Sequence, residues 1–136
     1  MAPFAIELEV RDYECDLQGH VNNAVYLHYL EHARHLYLRS LSIDFAAWAE
    51  RGVHMVVTRV EIDYRHPLTS GDRLRVTARM ERVSRLRCAF VQEIVRIPDG
   101  KPVVAARVIG TAIDGRGRPC LPEELDRLLS QPEAEA

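Results

Sequence analysis

The fold is decided by residues 16–38, which read DLQGHVNNAVYLHYLEHARHLYL. The stretch opens with a polar turn, and residues 24–38 then predict a helix whose apolar side chains fall in one arc of about 140° on a helical wheel. Those side chains are Val25, Tyr26, Tyr29, Leu30, Ala33, Leu36 and Tyr37. Asn22 and Asn23 stand just before the helix and are of the type that caps helix N-termini. Because this is the only long amphipathic element, we expect it to bury its apolar stripe on a sheet.

Five segments with strand patterns surround this helix. Apolar and polar residues alternate in three of them and two are more continuously apolar, as expected of half-buried and central strands respectively. They cover residues 4–11, 56–65, 73–80, 86–97 and 102–113. The order strand, long helix and four antiparallel strands predicts an α+β fold with one five-stranded sheet.

Two shorter helical segments complete the prediction. Residues 41–51 read as a short helix closed by Gly52, and Pro122 opens another short helix near the C-terminus. The last residues, 131–136, are predicted to be a disordered tail on a single domain of residues 1–130. One helix covers only one face of a five-stranded sheet, and residues 102–113 are apolar on both faces. We therefore expect a homodimer or homotetramer.

Composition excludes several classes of protein. The chain has 136 residues, 47% hydrophobic and 28% charged, with a formal net charge of −2. These values are ordinary for one globular domain and argue against a nucleic-acid binder. No apolar run is long enough for a membrane helix, and no secretory signal is recognisable, so we expect a cytoplasmic protein. The three cysteines have no zinc-site spacing, and no cofactor is expected.

The turn before the helix carries the candidate chemistry. Asp16 is a carboxylate close to the free N–H groups of a helix start, which stabilise negative charge. Gly19 permits close approach of the backbone to another group. A carboxylate beside an oxyanion-stabilising helix end suits acyl transfer, with Asp16 attacking a carbonyl or activating a water. An aspartate in this position is more commonly a plain turn or cap residue, and that alternative stays open here.

The stretch as a whole resembles the hotdog-fold 4-hydroxybenzoyl-CoA thioesterase-like family. The resemblance is carried by the pattern D-x-x-G-x-V-x-x-x-x-Y-x-x-Y-x-E-x-A-R over residues 16–34. A second pattern, Y-x-x-P-x-x-x-G-D, runs from Tyr64 to Asp72. The resemblance covers about residues 5–115 and implies a hotdog fold, with a long central helix wrapped by a five-stranded antiparallel sheet.

The resemblance implies hydrolysis of an acyl-CoA or acyl-carrier-protein thioester without a cofactor, at sites between subunits. Asp16 matches the family's catalytic aspartate, and the backbone N–H near Asn23 matches the donor that polarises the thioester carbonyl. Tyr26 stands where the family has an aromatic residue, in a core or a substrate-contact position. Glu31 and Arg34 match positions that look structural and are spaced for an i,i+3 ion pair.

One segment departs from a branch of the family. Residues 20–23 read His-Val-Asn-Asn, which resembles the branches that cleave acyl chains, including acyl-ACP thioesterases, rather than those with an apolar-aromatic run. This departure argues against an aromatic acyl substrate. It also provides His20 and the Asn23 side chain as groups that orient a water or the carbonyl, with capping or turn roles as the alternative.

An arginine-rich segment follows at residues 73–87. Arg82, Arg85 and Arg87 flank a predicted turn, and guanidinium groups bind phosphates well, so these three are candidates for a clamp on the phosphates of CoA. A solvated strand face is the alternative interpretation. A carrier protein would use the same basic patch.

Three rival functions are weaker. His28, Glu31 and His32 fit the zinc pattern H-x-x-E-H, but no third ligand is evident and a chance match on a polar helix face is far commoner. A non-catalytic acyl-thioester binder is disfavoured because Asp16 is present. A dehydratase is disfavoured because related dehydratases place a histidine five residues after the aspartate, whereas His20 is four residues after Asp16.

Overall fold

The computed structural model describes residues 3–130. Seven strands form one sheet: β1 (Ala5–Glu9), β2 (His54–Tyr64), β3 (Arg73–Thr77), β4 (Arg79–Arg82), β5 (Cys88–Ile97), β6 (Pro102–Ile113) and β7 (Pro119–Cys120). Three α-helices accompany them: α1 (Asn23–Ser40), α2 (Phe45–Glu50) and α3 (Glu123–Leu129). A single 3₁₀ turn, Asp12–Glu14, joins β1 to the segment before α1.

The sheet is antiparallel throughout, and its main path runs β1-β3-β5-β6-β2. The α+β prediction and the five-strand path are therefore confirmed. The predicted strand 73–80 is divided at Ala78, whose N–H donates to the Phe4 carbonyl instead of continuing the ladder with β5. Beyond this break β4 pairs with the other half of β5, and β7 adds a short pairing to β6.

Two apolar clusters lie between the helices and the sheet. The first joins the N-terminal half of α1 to the sheet and includes Tyr26, Leu30, Leu74 and Ile94. The second joins the C-terminal end of α1 to α2 and α3 and includes Leu38, Trp48, Phe90 and Leu125. Leu38 lies off the predicted apolar arc but is buried, because α2 and α3 cover that side of the helix end.

The uncovered apolar surface lies on β2 rather than on β6. β6 is a central strand between β5 and β2, which explains its apolar character on both faces. Among residues 3–130, β2 pairs with β6 alone, and its Val57, Val60 and Tyr64 are exposed.

A bulge interrupts the β2–β6 pairing at Thr58, between Val57 and Arg59. At this point Gly110 of β6 is in close contact with β2, and a Cβ on it would lie 2.5 Å from the Val56 carbonyl oxygen. Only glycine permits this approach of the two backbones.

Two further expectations concern the chain as a whole. No helix within residues 3–130 is both long enough and apolar enough to cross a membrane. The tail predicted at residues 131–136 lies outside the described residues.

Candidate active site

Asp16 lies in a tight turn that its own side chain closes. Its N–H donates to the His20 carbonyl (2.7 Å), and the Gly19 N–H donates to the Asp16 carbonyl (3.0 Å). The carboxylate Oδ1 accepts from the N–H groups of Gln18 (2.9 Å) and His20 (3.2 Å). The residue is exposed, and Oδ2 has no donor among residues 3–130. One carboxylate oxygen therefore fixes the turn while the other faces outward.

Gly19 is explained by its backbone conformation. Its φ is +80°, in the left-handed region that strains other residues, and nothing lies within 4 Å of an added Cβ. The close approach expected at Gly19 does not involve any described part of the chain. An approach to a bound substrate stays a prediction.

The chain returns from this turn directly into α1. Cys15 and Val21 pair across the turn, and the Asn22 N–H donates to the Glu14 carbonyl at 2.9 Å. Asn22 is the N-cap of α1, with its side chain accepting from the Ala24 N–H at 2.9 Å. These pairings place Asp16 beside the beginning of the helix.

One backbone donor at the beginning of α1 is left free. The Ala24 N–H is taken by the Asn22 side chain and the Val25 N–H by the Asn22 carbonyl (2.9 Å). The Asn23 N–H has no acceptor within the described part of the chain. A free N–H at the positive end of an 18-residue helix is a favourable partner for an oxyanion. The geometry thus fits the role expected for the amide near Asn23.

The buried carboxylate of Glu14 links the segment before the turn to α1. Its Oε1 accepts from the Tyr29 hydroxyl (2.8 Å) and from the Arg11 N–H (2.9 Å). Burial, followed by the hydrogen bond to Glu14, raises the pKa of Tyr29 far above its usual range, so the phenol remains a donor. Sequence reasoning missed this pair, because nothing local distinguishes Glu14 from the exposed acids Glu7 and Glu9.

Tyr26 and His20 differ in what they offer a substrate. Tyr26 is only 4% exposed, and its hydroxyl oxygen accepts from the Leu68 N–H at 3.0 Å. Of its two expected positions, the structure favours the core. His20 bridges to Thr69 through its backbone, and its ring has no partner among residues 3–130. The imidazole is therefore not engaged by the described part of the chain.

The three candidate clamp arginines lie far from Asp16 in the same chain. Arg82 pairs with Cys88 at the beginning of β5, whereas the Asp16 turn adjoins the turn before β3, where Arg73 pairs with Ile97. Nine residues of strand separate these ends of β5, or about 30 Å. From the sequence, the three arginines and Asp16 are assigned to the same bound substrate. Within a single chain, the structure keeps them apart.

The arginines also have other partners. Arg82 donates to the Asp126 carboxylate (2.6 Å), the Ser130 hydroxyl (3.2 Å) and the Arg85 carbonyl (3.2 Å). Arg87 donates to the Ser84 hydroxyl at 3.4 Å, and the Arg85 side chain is exposed. Arg82 thus holds α3 against the β4–β5 hairpin, and its use as a phosphate ligand would require breaking these contacts.

The zinc-like pattern on α1 does not assemble into a ligand set. His28, Glu31 and His32 are all exposed. Across residues 3–130, no three histidine, cysteine, aspartate or glutamate side chains converge on a point that could hold a metal ion.

α1 and β2 lie side by side, because the Tyr64 hydroxyl donates to the Asn23 carbonyl at 3.3 Å and the later residues of α1 line a cavity together with the first residues of β2. The strip of surface between α1 and β2 is termed the groove. The cavity has a volume of about 460 Å³ and mostly apolar walls, among them Phe45, Met55 and Val108. Sequence reasoning missed this cavity, because its residues come from five separate elements.

Arg34 lies on one wall of the cavity. Its guanidinium donates to the Gln92 side chain at 3.1 Å and stacks over the Phe90 ring, 5.8 Å from its centroid. The expected i,i+3 ion pair with Glu31 is absent among the described residues. Burial lowers the pKa of Arg34 from its usual value without making it neutral.

Comparison with known proteins identifies the family. Residues 10–129 match the model of the thioesterase-like superfamily. The acyl-acyl carrier protein thioesterase ATL3 of Arabidopsis thaliana, a chloroplastic protein, is 38% identical over 84% of this chain. That match spans only 60% of the plant protein. The long-chain acyl-CoA thioesterase FadM of Escherichia coli is 32% identical over 79% of this chain and 81% of its own length.

Solved structures agree with this assignment. A thioesterase from Thermus thermophilus, crystallised with coenzyme A and zinc, is 33% identical and covers 93% of this chain and 97% of its own, with a TM-score of 0.78. The expected hotdog fold is thereby confirmed, and the chain belongs to the thioesterase-like superfamily.

Proposed function

We propose that the protein hydrolyses a fatty-acyl or related acyl thioester to the free acid and a thiol. The observation that carries this proposal is the pairing of a free N–H, that of Asn23 at the beginning of α1, with an exposed carboxylate, that of Asp16, held beside it by the turn. The two groups supply an oxyanion donor and a base or nucleophile, which are the two requirements of acyl transfer.

Bond changes follow from these roles. In the general-base route, Asp16 Oδ2 takes a proton from a water, whose oxygen bonds to the thioester carbonyl carbon. Negative charge moves to the carbonyl oxygen and is stabilised by the Asn23 N–H and the α1 dipole. The carbon–sulfur bond then breaks, and the thiolate leaves and takes up a proton. The fixed Oδ1 keeps Oδ2 pointed at the reacting atoms throughout.

A nucleophilic route uses the same atoms in another order. Asp16 Oδ2 bonds to the carbonyl carbon, the thiolate leaves, and water then hydrolyses the resulting anhydride. The His20 imidazole has no partner among residues 3–130, and in either route it would orient the water or the carbonyl. Gly19 gives the substrate close access to the turn backbone. Both routes require the same oxyanion donor.

The thiol is coenzyme A in the preferred form of the proposal, with an acyl carrier protein as the alternative. Both thiols occur among the relatives, since FadM is named for acyl-CoA and ATL3 for acyl-carrier-protein substrates. The residues His20 to Asn23 favour an acyl chain over an aromatic acyl group. A cytoplasmic location remains the prediction from sequence, although the Arabidopsis relative is chloroplastic.

We further propose that two copies pair through β2. This strand has a free edge with exposed Val57 and Val60. Antiparallel pairing centred on Val60 would set Arg59 of one copy opposite Glu61 of the other at both ends of the pair, a self-complementary arrangement. The groove beside α1 would then be covered by the second copy, as the apolar surface of β2 requires.

A thiol-release assay tests the proposal. Acetyl, medium-chain, long-chain, benzoyl and 4-hydroxybenzoyl thioesters of coenzyme A, followed by acyl-carrier-protein substrates, are compared for the wild type and Asp16→Asn. We expect acyl-chain substrates to be hydrolysed and the variant to lose at least about a hundredfold in kcat/KM with an unchanged circular dichroism spectrum. Binding of acyl thioesters without release of thiol would instead identify a non-catalytic binder.

A further inference from the structure

The end of the groove farthest from Asn23 is bounded by α2, and contacts outside the cavity hold this helix in place. α2 contributes Phe45 and Ala49 to this end of the cavity, and Met55 of β2 lies beside them. With about 460 Å³, the cavity has the size of a site for a small organic ligand. Its floor is formed by Val108 and Phe90 of the sheet.

A chain of contacts leads from this wall to the C-terminal helix. The rings of Phe45 and Trp48 meet edge to face, with centroids 5.4 Å apart. Trp48 is only 2% exposed, and its Nε1–H donates to the Glu124 carboxylate of α3. Arg51, just after α2, forms an ion pair with the same carboxylate at 3.5 Å. Glu124 thus holds α2 at two points.

The C-terminal helix is itself anchored to the sheet. Leu125 is fully buried in the second apolar cluster, and Asp126 accepts from Arg82 of β4 at 2.6 Å. Because α3 is fixed in this way, the Glu124 carboxylate is held in position to accept the hydrogen bond from Trp48. The wall of the cavity therefore does not depend on the packing of the six residues of α2 alone.

An unbranched acyl chain is the occupant that best fits the groove. The cavity lies beside the later residues of α1, and the thioester would lie at the other end of the same helix, beside Asn23 and Tyr64. Its one well-buried charge, Arg34, is already bonded to Gln92 and stacked on Phe90, so the walls offer mainly apolar contacts. These features match a hydrocarbon chain, since the other charged or imidazole side chains of the lining, Glu31, His35, Arg39 and His54, are exposed to solvent.

The length of α1 gives an estimate of how long an acyl chain must be to reach Phe45. Fifteen residues separate Asn23 from Leu38, or about 22 Å of helix. A hydrocarbon chain with bonds of about 1.5 Å advances about 1.3 Å per bond, so about seventeen bonds, or about eighteen carbons, span this distance. Medium chains would end before the wall.

We propose that Glu124 is a positioning residue for chain-length selection: acting through Trp48, it fixes Phe45 as the end stop of the acyl groove. The inference rests on the proposed function, since it identifies the groove as the acyl site of that reaction. Each methylene that gains apolar contact tightens binding about fourfold, so a movable stop would admit longer chains in measurable steps.

Trp48 is the single tryptophan of the chain, and its fluorescence reports on the wall without requiring catalysis. Non-hydrolysable alkyl-CoA thioethers of increasing chain length are titrated against the full-length protein. In the wild type, we expect the emission to change only for chains long enough to reach the wall, and affinity to fall beyond that length. In Phe45→Ala, affinity should continue to rise about fourfold per methylene past the wild-type limit.

The glutamate is tested with a matched set. Glu124→Ala should extend the length limit in the direction of Phe45→Ala, whereas Glu124→Gln keeps an acceptor for Trp48 and should retain the wild-type profile. Glu123→Ala is the control, because among residues 3–130 Glu123 pairs with Arg127 of α3 alone, at 2.7 Å. Thermal melting monitors the folding of every variant.

Several results would overturn the inference. Glu124→Ala with the wild-type length limit would do so, as would a uniform loss of affinity at all lengths together with a lower melting temperature. Absence of binding at every length in a dimeric wild type would assign the cavity to contacts between copies. Length-dependent binding without thiol release from any substrate would refute the proposed function and leave Glu124 as a positioning residue of a binding site only, whereas thiol release without length dependence would refute the inference alone.

Discussion

The chain contains two turns of nearly identical construction. Asp16–His20 and Asp114–Arg118 both place glycine fourth, with φ of +80° at Gly19 and +76° at Gly117. In each, the aspartate Oδ1 accepts from the N–H groups two and four residues later, at 2.9 and 3.2 Å in the first turn and 2.8 and 3.1 Å in the second. In each, the aspartate N–H donates to the carbonyl of the fifth residue.

What differs is the element that follows. The first turn leads into the 18-residue helix α1, whose Asn23 N–H has no acceptor in the described part of the chain, whereas the second leads into the two-residue strand β7. The local structure of an aspartate turn is therefore not what makes a candidate active site. The nearby helix start distinguishes Asp16 from Asp114, and substitutions at matching positions of the two turns separate structure from chemistry.

The largest contrast is expected between Asp16→Asn and Asp114→Asn. Asparagine keeps a side-chain oxygen for the turn N–H groups in both variants, so we expect both to fold with nearly unchanged melting temperatures. Only Asp16→Asn should lose at least about a hundredfold in kcat/KM for acyl thioesters, because it removes the charged oxygen. Equal activities of the two variants would mean that Asp16 is a turn residue and nothing more.

The second contrast concerns the helix start. Asn23→Pro deletes the proposed oxyanion donor at the first helical position, where proline is well tolerated, and Asn22 already has the extended backbone that a following proline favours. We expect a loss of about a hundredfold in kcat with the fold retained. Asn23→Ala keeps the N–H and removes only the side chain. If Asn23→Pro were as active as Asn23→Ala, the oxyanion donor would have to lie elsewhere.

The smallest effects are expected at the two glycines. Gly19→Ala and Gly117→Ala each impose a left-handed conformation on alanine without a steric clash, at a cost of about 1 kcal/mol of folding free energy. Chemical denaturation should therefore give similar losses of stability for both. A thiol-release assay should show reduced activity for Gly19→Ala alone; reduced activity for Gly117→Ala would link the second turn to the reaction.

The elements of this fold were predictable because their signals are local. The stripe on α1 and the alternation in 56–65 depend on neighbours a few positions away, and each marks its element to within a few residues. The break at Ala78 was not predictable, since it depends on the Phe4 carbonyl, which belongs to a distant part of the chain.

The site was predictable only in part, for the same reason. Asp16, Asn23 and His20 are close in sequence and lie together in the structure. The arginine clamp stays a prediction, because it depends on proximity in space, which the pattern of residues 82–87 does not contain; within one chain, Arg82 pairs with Asp126 of α3. The Glu14–Tyr29 bond and the Trp48–Glu124 bond join residues 15 and 76 positions apart, beyond the reach of any local pattern.

Gly110 has a consequence for how freely this protein can vary. Any side chain there would meet the Val56 carbonyl, because the bulge at Thr58 brings β2 onto β6 at this point. Relief would require β2 to move away, and β2 provides both a wall of the groove and the exposed edge. In a saturation library, we expect position 110 to accept glycine alone, although it lies outside the candidate catalytic turn. A single absent methyl group would then limit mutational tolerance as strictly as the proposed catalytic carboxylate of Asp16 does.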